Sequence, residues 1–453
     1  MNDFSGNCAF RMNDFLILIY QKPICFQSMS LTDRNSIASV LLEQRTSFLR
    51  KSGGVTRTVL QKVERYKPLP HTVVITGLRR TGKSTLLRQI ASAYYHNEDF
   101  HYINFEDERL IGFPAERFNE LYEILTGQFG QRRTFLIDEI QNVPGFERFV
   151  RRFLDDGYKF YITGSSANLL SREIGTKLTG RHADVTVYPF SFPEYLKFSG
   201  ISEGMGTVYT TKERAVLKSA FDSYLTEGGM PEFMTYKEYD ILTRTYEDVV
   251  IKDIALRYGL SNPMELRELF QYLITNFGSR FSYTRLKNSL GFGSVNTVKS
   301  YIHSLTETYF AAVISKFDYS IRKQISNEKK LYVADNGFIP RISLKVTRDY
   351  GRLLENLVHN ELARRGSVYY FADGKSECDF ILQQEGSING CFQVSWNITP
   401  DNQEREYNGL INALEFFGHS EGTILTSDQE YEYSQNGKTI HVYPVWKWLL
   451  SER

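Results

Sequence analysis

The stretch TVVITGLRRTGKS, Thr72–Ser84, constrains the fold more than any other part of the chain. Apolar and β-branched residues lead into Gly77-Leu-Arg-Arg-Thr-Gly82-Lys83-Ser84, a match to G-x-x-x-x-G-K-[ST]. The residues beyond, STLLRQIASAYY, carry apolar positions at helical spacing. Strand, glycine loop and helix in this order build an anion cradle. Glycines let the backbone curl so that successive N–H groups face phosphates. The helix adds its unpaired N–H groups and the positive end of its dipole. Lys83 would reach the β and γ phosphates and Ser84 would place its hydroxyl on Mg²⁺. Gly77, Arg80, Thr81, Gly82 and Thr85 complete the expected contact set, and Arg79 lies within the same loop. The competing reading is a chance glycine-rich loop, which the flanking strand and helix oppose.

A second segment, Thr134-Phe-Leu-Ile-Asp138-Glu139, is an apolar strand ending in two acids. Carboxylates at the end of a buried parallel strand lie at the sheet edge where ligands bind. Asp138 can hold Mg²⁺ together with Ser84, and Glu139 can orient or deprotonate an attacking water. Alone, the pair would be an ordinary solvated strand end. Thr163 and Ser166, after the strand KFYIT, are candidates for contact with the γ-phosphate or the water, or else belong to a capping turn. Arg181 in TGRH could stabilise transition-state charge, in cis or from a neighbouring subunit, or be a surface arginine.

Alternating strands (Val73–Thr76, His101–Phe105, Thr134–Ile137, Phe160–Thr163, Asp184–Val187) and helical segments predict a parallel sheet with helices on both faces. We expect a poorly defined segment at 1–36, a helical lead-in at 37–70, an ATPase-type core at 71–199, and a helical linker or lid at 207–262. A helix-turn-helix region at 263–340 and an α/β tail at 345–453 follow. The 54 basic residues balance 53 acidic ones, so any nucleic-acid partner must meet a local basic patch. Cys8, Cys25, Cys378 and Cys391 are too scattered for a disulfide framework and fit a reducing cytoplasm. The apolar run Phe15–Tyr20 is too short to cross a bilayer.

GLRRTGKST, FLIDEI, ITGSSANLL and LTGRHADVTVYPFSFPEY together resemble the AAA-type P-loop ATPases of bacteria and archaea that carry a C-terminal domain of unknown function. YLTEGGMPEF and DVVIKDIALRYGL resemble that family's linking region, and GRLLENLVHNEL with ECDFIL resembles its restriction-nuclease-like tail. The resemblance implies ATP as the nucleotide and a P-loop NTPase sheet in the order 5-1-4-3-2. It also implies Glu139 as the catalytic acid and Arg181 as a recurrent arginine.

Ser282–Leu290 and Val295–Tyr309 have helix-turn-helix spacing, and a hairpin from Phe310 to Val333 would make a wing. Thr297, Lys299, Ser300 and His303, with Arg322, Lys323, Lys329 and Lys330 on the wing, could meet DNA, but the helix has few arginines for base reading, which favours a structural or protein-binding role. In the tail, Glu355, Asp379 and the strand Cys391-Phe-Gln393-Val-Ser395 follow the restriction-nuclease layout, but Gln393 replaces a carboxylate and Ser395 stands where a lysine helps the water. We therefore expect a non-catalytic tail, with Lys375 as the residue that could rescue it. The whole reads as a Mg²⁺-dependent ATP hydrolase coupled to DNA or a protein, with oligomers possible and no membrane partner. An ATP-regulated nuclease and a nucleotide-sensing adaptor are the alternatives.

Overall fold

The computed structural model describes residues 33–164, 180–201, 209–260, 262–345, 347, 349–374 and 376–451. Five parallel strands form the first sheet: β1 (Thr72–Thr76), β2 (His101–Asn104), β3 (Thr134–Asp138), β4 (Lys159–Thr163) and β5 (His182–Thr186), in the order β2-β3-β4-β1-β5. Read from the other edge this is 5-1-4-3-2, the expected order. Every residue of β1 and β3 is buried, as befits strands covered on both faces. Alternation with period two divides their side chains. Val74, Phe135, Ile137, Phe160 and Ile162 pack with helices Arg34–Arg50, Phe118–Phe129 and Glu147–Asp155. Val73, Ile75, Leu136, Tyr161 and Val185 pack with helices Leu60–Tyr66 and Lys83–Tyr94. Phe135 lies parallel to Phe160, with ring centroids 5.0 Å apart.

Helices Thr211–Glu227, Pro231–Tyr236 and Asp240–Asp248 follow, and the last continues as a π-helix, Val249–Leu256. Thr210 and Glu213 close a capping box at the start of the first. Its end is tied down by Asp335, whose carboxylate accepts the Gly229 N–H at 2.6 Å and the Gly337 N–H at 2.9 Å. Gly228 has φ +78° and leaves no room for a Cβ, which would lie 1.7 Å from Asp335 Oδ1.

Helix Pro263–Thr275, β6 (Arg280–Phe281), helices Tyr283–Ser289 and Val295–Glu307, β7 (Ala311–Ser315) and β8 (Lys329–Val333) come next, with the strands antiparallel in the order β6-β8-β7. The segment between β7 and β8 is not a plain hairpin, because helix Ile321–Ser326 occupies its tip. The tail is a six-stranded mixed sheet made by β9 (Ser367–Asp373), β10 (Ser376–Gln384), β11 (Ser387–Val394), β12 (Glu421–Thr426), β13 (Tyr431–Gln435) and β14 (Lys438–Pro444), in the order β13-β14-β12-β11-β10-β9. Helix Gln403–Phe417 packs on the face bearing Cys378, Cys391 and Ile424, and both cysteines are buried. Helix Tyr350–Ala363 packs on the opposite face, in a core that runs without a break from Phe190 through the linking helices and small sheet to Trp446. Among the described residues, no helix is long and apolar enough to cross a membrane.

Candidate nucleotide site

The loop leaving β1 is shaped by two glycines. Gly77 has φ +143°, and a Cβ there would lie 2.2 Å from the Val187 carbonyl oxygen. Gly82 has φ +96° and caps helix Lys83–Tyr94. Both positions lie in a region that L side chains seldom adopt. Lys83 is buried, and its ammonium donates to the Gly77 and Leu78 carbonyl oxygens at 3.0 and 3.2 Å. Burial lowers its pKa, opposed by the charges of Glu139 and Asp138. Thr81 is engaged inside the loop, its hydroxyl donating to Leu78 O at 2.8 Å, and the Thr85 hydroxyl accepts from Arg88 at 2.9 Å.

Asp138 and Glu139 end β3, the second strand from β1. Burial first, and then repulsion from Glu139, push the Asp138 carboxyl up to about 6; the Ser84 and Thr163 hydroxyls and Lys83 pull the other way. The structure thus brings Ser84, Lys83, Asp138 and Thr163 together. Thr163 donates its hydroxyl to Asp138 Oδ1 and accepts the Glu139 N–H at 2.9 Å. Glu139 has φ 51° and ψ 48°. A glutamate in the left-handed region is a local strain that the surrounding contacts must hold, and such outliers gather at functional sites. Its carboxylate accepts from the Gln141 amide. A buried ammonium bonded to carbonyl oxygens and a buried carboxylate next to a hydroxyl form a donor set suited to polyphosphate with a hard divalent cation.

Two expectations are corrected. Arg181 cannot serve the phosphate site of its own chain, because it precedes β5 at the far end of the sheet. Its carbonyl accepts the N–H of Thr72, the first residue of β1, and the strand's length sets Arg181 roughly 16 Å from the loop. Its exposed side chain pairs with Asp155. Arg80 is turned away from the cradle: its guanidinium meets Glu232 at 3.2 Å and Asp248 at 3.3 Å. Both carboxylates belong to the linking helices, and they hold Arg80 in this structure. Ser166 lies outside the described residues.

Sequence reasoning missed Arg57. It is buried and donates to Thr81 O at 2.7 Å and Tyr188 O at 2.6 Å while pairing with Glu194 at 3.1 Å, so it braces the loop against the segment after β5. Burial lowers its pKa, and Glu194 opposes that. GGVTRT reads as an ordinary end to a helical lead-in, so no local signal marked it.

A cleft of about 480 Å³ between the small sheet and the tail holds another buried lysine. Lys330, expected on a wing, lies inside it, with its ammonium 2.6 Å from Glu377, 3.2 Å from Glu355 and 3.5 Å from Asp379. Arg280 pairs with Glu377, and the Tyr332 hydroxyl donates to Glu355 at 2.6 Å. Gln393 accepts the Asp379 N–H at 3.2 Å and donates to Glu406 at 2.6 Å. The cation expected to be missing from this set is therefore present, supplied from β8 rather than from position 395. Lys329 is also buried, spent on the Asn327 carbonyl at 3.1 Å and others at the end of helix Ile321–Ser326. Lys375 lies outside the described residues.

An uncharacterized protein of Methanocaldococcus jannaschii, MJ1544, is 31% identical over 444 residues, covering 93% of this chain and 97% of that protein. The chain belongs to the same family. A further relative, an uncharacterized protein of Haemophilus influenzae, is 28% identical over 405 residues, covering 86% of this chain and 97% of its own length. In this chain, residues 70–196 match an AAA domain and residues 218–349 match a domain of unknown function (DUF8612). Together with the sheet order, the first match establishes a P-loop α/β core. Among solved structures the chain is similar to the replication initiator DnaA bound to AMPPCP and single-stranded DNA (17% identity, 55% of this chain, 86% of that chain, TM-score 0.25). It is also similar to Cdc6p from Pyrobaculum aerophilum (12% identity, 68% and 97%, TM-score 0.24). These overlaps are too loose to carry an argument.

Proposed function

We propose that this AAA-domain protein is a Mg²⁺-dependent ATP hydrolase that couples its nucleotide state to a macromolecular partner through the helices and sheets after residue 209. The observation that carries the reading is the single constellation at the ends of β1, β3 and β4. Lys83, Asp138 and Thr163 are buried there, and Glu139 is locked by the Thr163 hydroxyl in a left-handed conformation. In this reading Lys83 and the loop N–H groups bind the phosphates, Glu139 takes the proton of the attacking water, and Thr163 fixes the spacing of the two acids. Mg²⁺, held by Ser84 and Asp138, neutralises phosphate charge when bound. Arg181 is assigned to the site of a neighbouring subunit, since it is exposed at the opposite end of the sheet.

The element order of residues 263–340 supports a winged helix, with Lys299, Ser300 and His303 exposed on helix Val295–Glu307 and Arg322 and Lys323 exposed at the wing tip. Burial of Lys329 and Lys330 removes half of the basic wing, which favours a protein-facing joint over a DNA reader. The tail sheet supports restriction-nuclease-like ancestry; because Lys330 and Arg280 neutralise its carboxylates, we read the cleft as a joint between modules.

Phosphate release from ATP with Mg²⁺, by wild type, Lys83→Ala and Glu139→Gln, with and without duplex DNA, tests this. Turnover lost in both variants, with ATP binding kept in Glu139→Gln, is the expected result. Full turnover by Glu139→Gln would remove the assignment of the base, and DNA stimulation would restore the winged helix as a reader.

A further inference from the structure

Arg79 sits where the nucleotide loop meets the linking helices. Its guanidinium makes a two-point contact with Asp253, at 2.9 and 3.2 Å, and a looser one with Glu106 at 3.5 Å. Glu106 places Arg79 on the side of the loop where hydrolysis would occur. Glu106 follows Phe105, whose N–H donates to the carbonyl of Asp138 at 3.0 Å, and Asn104 is the β2 partner of Asp138 across β3. Arg79 thus stands above the ends of β2 and β3, beside the two acids, with Asp253 reaching in from the linking region.

Asp253 is buried and lies within the π-helix, between the buried residues Val250 and Ile254. A π-helical run is rare and is frequently found at functional sites. Four carboxylates face the two loop arginines: Asp253 and Glu106 on Arg79, Glu232 and Asp248 on Arg80. Lys252 also pairs with Asp248, at 2.8 Å. Other charges around the loop are Lys83, Asp138, Glu139 and the Arg57–Glu194 pair. The Arg79 guanidinium has several donors in a planar fork, and carboxylate and phosphate compete for the same edge of it.

We propose that Asp253 and the terminal phosphate of a nucleoside triphosphate compete for Arg79, so that a triphosphate, and not a diphosphate, releases the π-helix of the linking region. The inference rests on the nucleotide-binding reading above. Arg79 binds the γ-phosphate, and Asp253 is a positioning residue acting through Arg79. The same exchange gives the linker a direct report of whether the γ-phosphate is present. An arginine shared between loop and linker supplies the differential interaction that a nucleotide-driven change requires.

Affinities for ADP and for AMPPCP, measured calorimetrically with the full chain, decide it. Arg79→Ala is expected to weaken AMPPCP roughly tenfold, the effect of losing one charged hydrogen-bonded contact, and to leave ADP unchanged; Arg79→Lys recovers part of the loss. Asp253→Asn is expected to tighten AMPPCP several-fold and leave ADP unchanged. In wild type, amide exchange at residues 249–256 rises with AMPPCP and stays level with ADP, while in Asp253→Asn it is raised throughout. A simply structural pair would shift both nucleotides alike. Equal shifts for ADP and AMPPCP, or exchange at 249–256 that ignores AMPPCP, overturn the proposal while leaving nucleotide binding intact. Wild type that binds neither nucleotide, or Lys83→Ala that binds both unchanged, takes down the underlying reading as well.

Discussion

Two lysines, Lys83 in the AAA domain and Lys330 in the small sheet, are both buried beside carboxylates, yet their surroundings are opposite. Lys83 donates to two carbonyl oxygens, and Asp138 and Glu139 act on it as neighbouring charges. Burial wins, and its pKa is lowered. Lys330 is in direct contact with three carboxylates; burial works against its charge, but Glu355, Asp379 and Glu377 outweigh that and raise its pKa. A buried cation whose direct contacts are carbonyls, with its carboxylates further off, leaves positive potential for an anionic ligand. A buried cation gripped by three acids has spent it on the fold. The first arrangement suits binding, the second suits holding modules together.

The sharpest way to break this contrast is Lys330→Met. It leaves three acids without their central cation, so we expect a loss of about 3–5 kcal/mol in urea unfolding, with ADP affinity intact. A stable variant would mean that the cleft is solvated and not a joint. Lys83→Met should do the reverse, weakening nucleotide binding by about a hundredfold for its lost charge-assisted contacts while leaving the urea midpoint unchanged or raised. A destabilised Lys83→Met would erase the distinction. Neutralising the cluster together, as Lys330→Met with Glu355→Gln and Glu377→Gln, should recover about 1–3 kcal/mol of the single variant's loss, since the acids no longer need a counter-charge.

The smallest effect is a pH dependence. Asp138 has its carboxyl raised from 3.8 to about 6. Because the folded value is the higher one, its protonated form favours the fold below about pH 4, and that contribution is lost as pH rises through about 6. Mg²⁺ must displace the same proton, so the ratio of ATP affinities with Mg²⁺ and with EDTA should fall up to roughly tenfold per pH unit below about 6. Asp138→Asn should show a flat ratio. A flat ratio in wild type would put the cation elsewhere.

The contrast also explains what could be read early. Gly77, Gly82, Lys83 and Ser84 are neighbours in sequence because one turn of backbone makes the cradle, and Asp138 and Glu139 follow directly from an apolar strand, so both halves of the site were legible as short patterns. Nothing in LQKVERY, IKDIAL or EKKLYV marks one lysine or aspartate as buried and the next as exposed. Lys330 faces the tail cleft because β8 is the central strand of its small sheet and the tail packs against it. Asp253 reaches Arg79 from the buried side of a π-helix. Arg181 carried a plausible pattern, but which site it can serve was not legible: its position before β5 places it at the strand's starting end, which only the parallel register with Thr72 reveals.

By itself, then, the sequence determined the strand–loop–helix cradle, the two acids, the alternating α/β order and the buried strands, because each depends on contacts between residues a few positions apart or on a repeating pattern of apolar side chains. Tertiary structure alone decided which charges face each other across long separations: Arg57 with Glu194, Arg79 with Asp253, Lys330 with Glu355, Glu377 and Asp379. Charge pairing between distant elements leaves no periodicity in the chain. It is set by which faces the apolar cores bring together, and its energy depends on burial that no single segment determines.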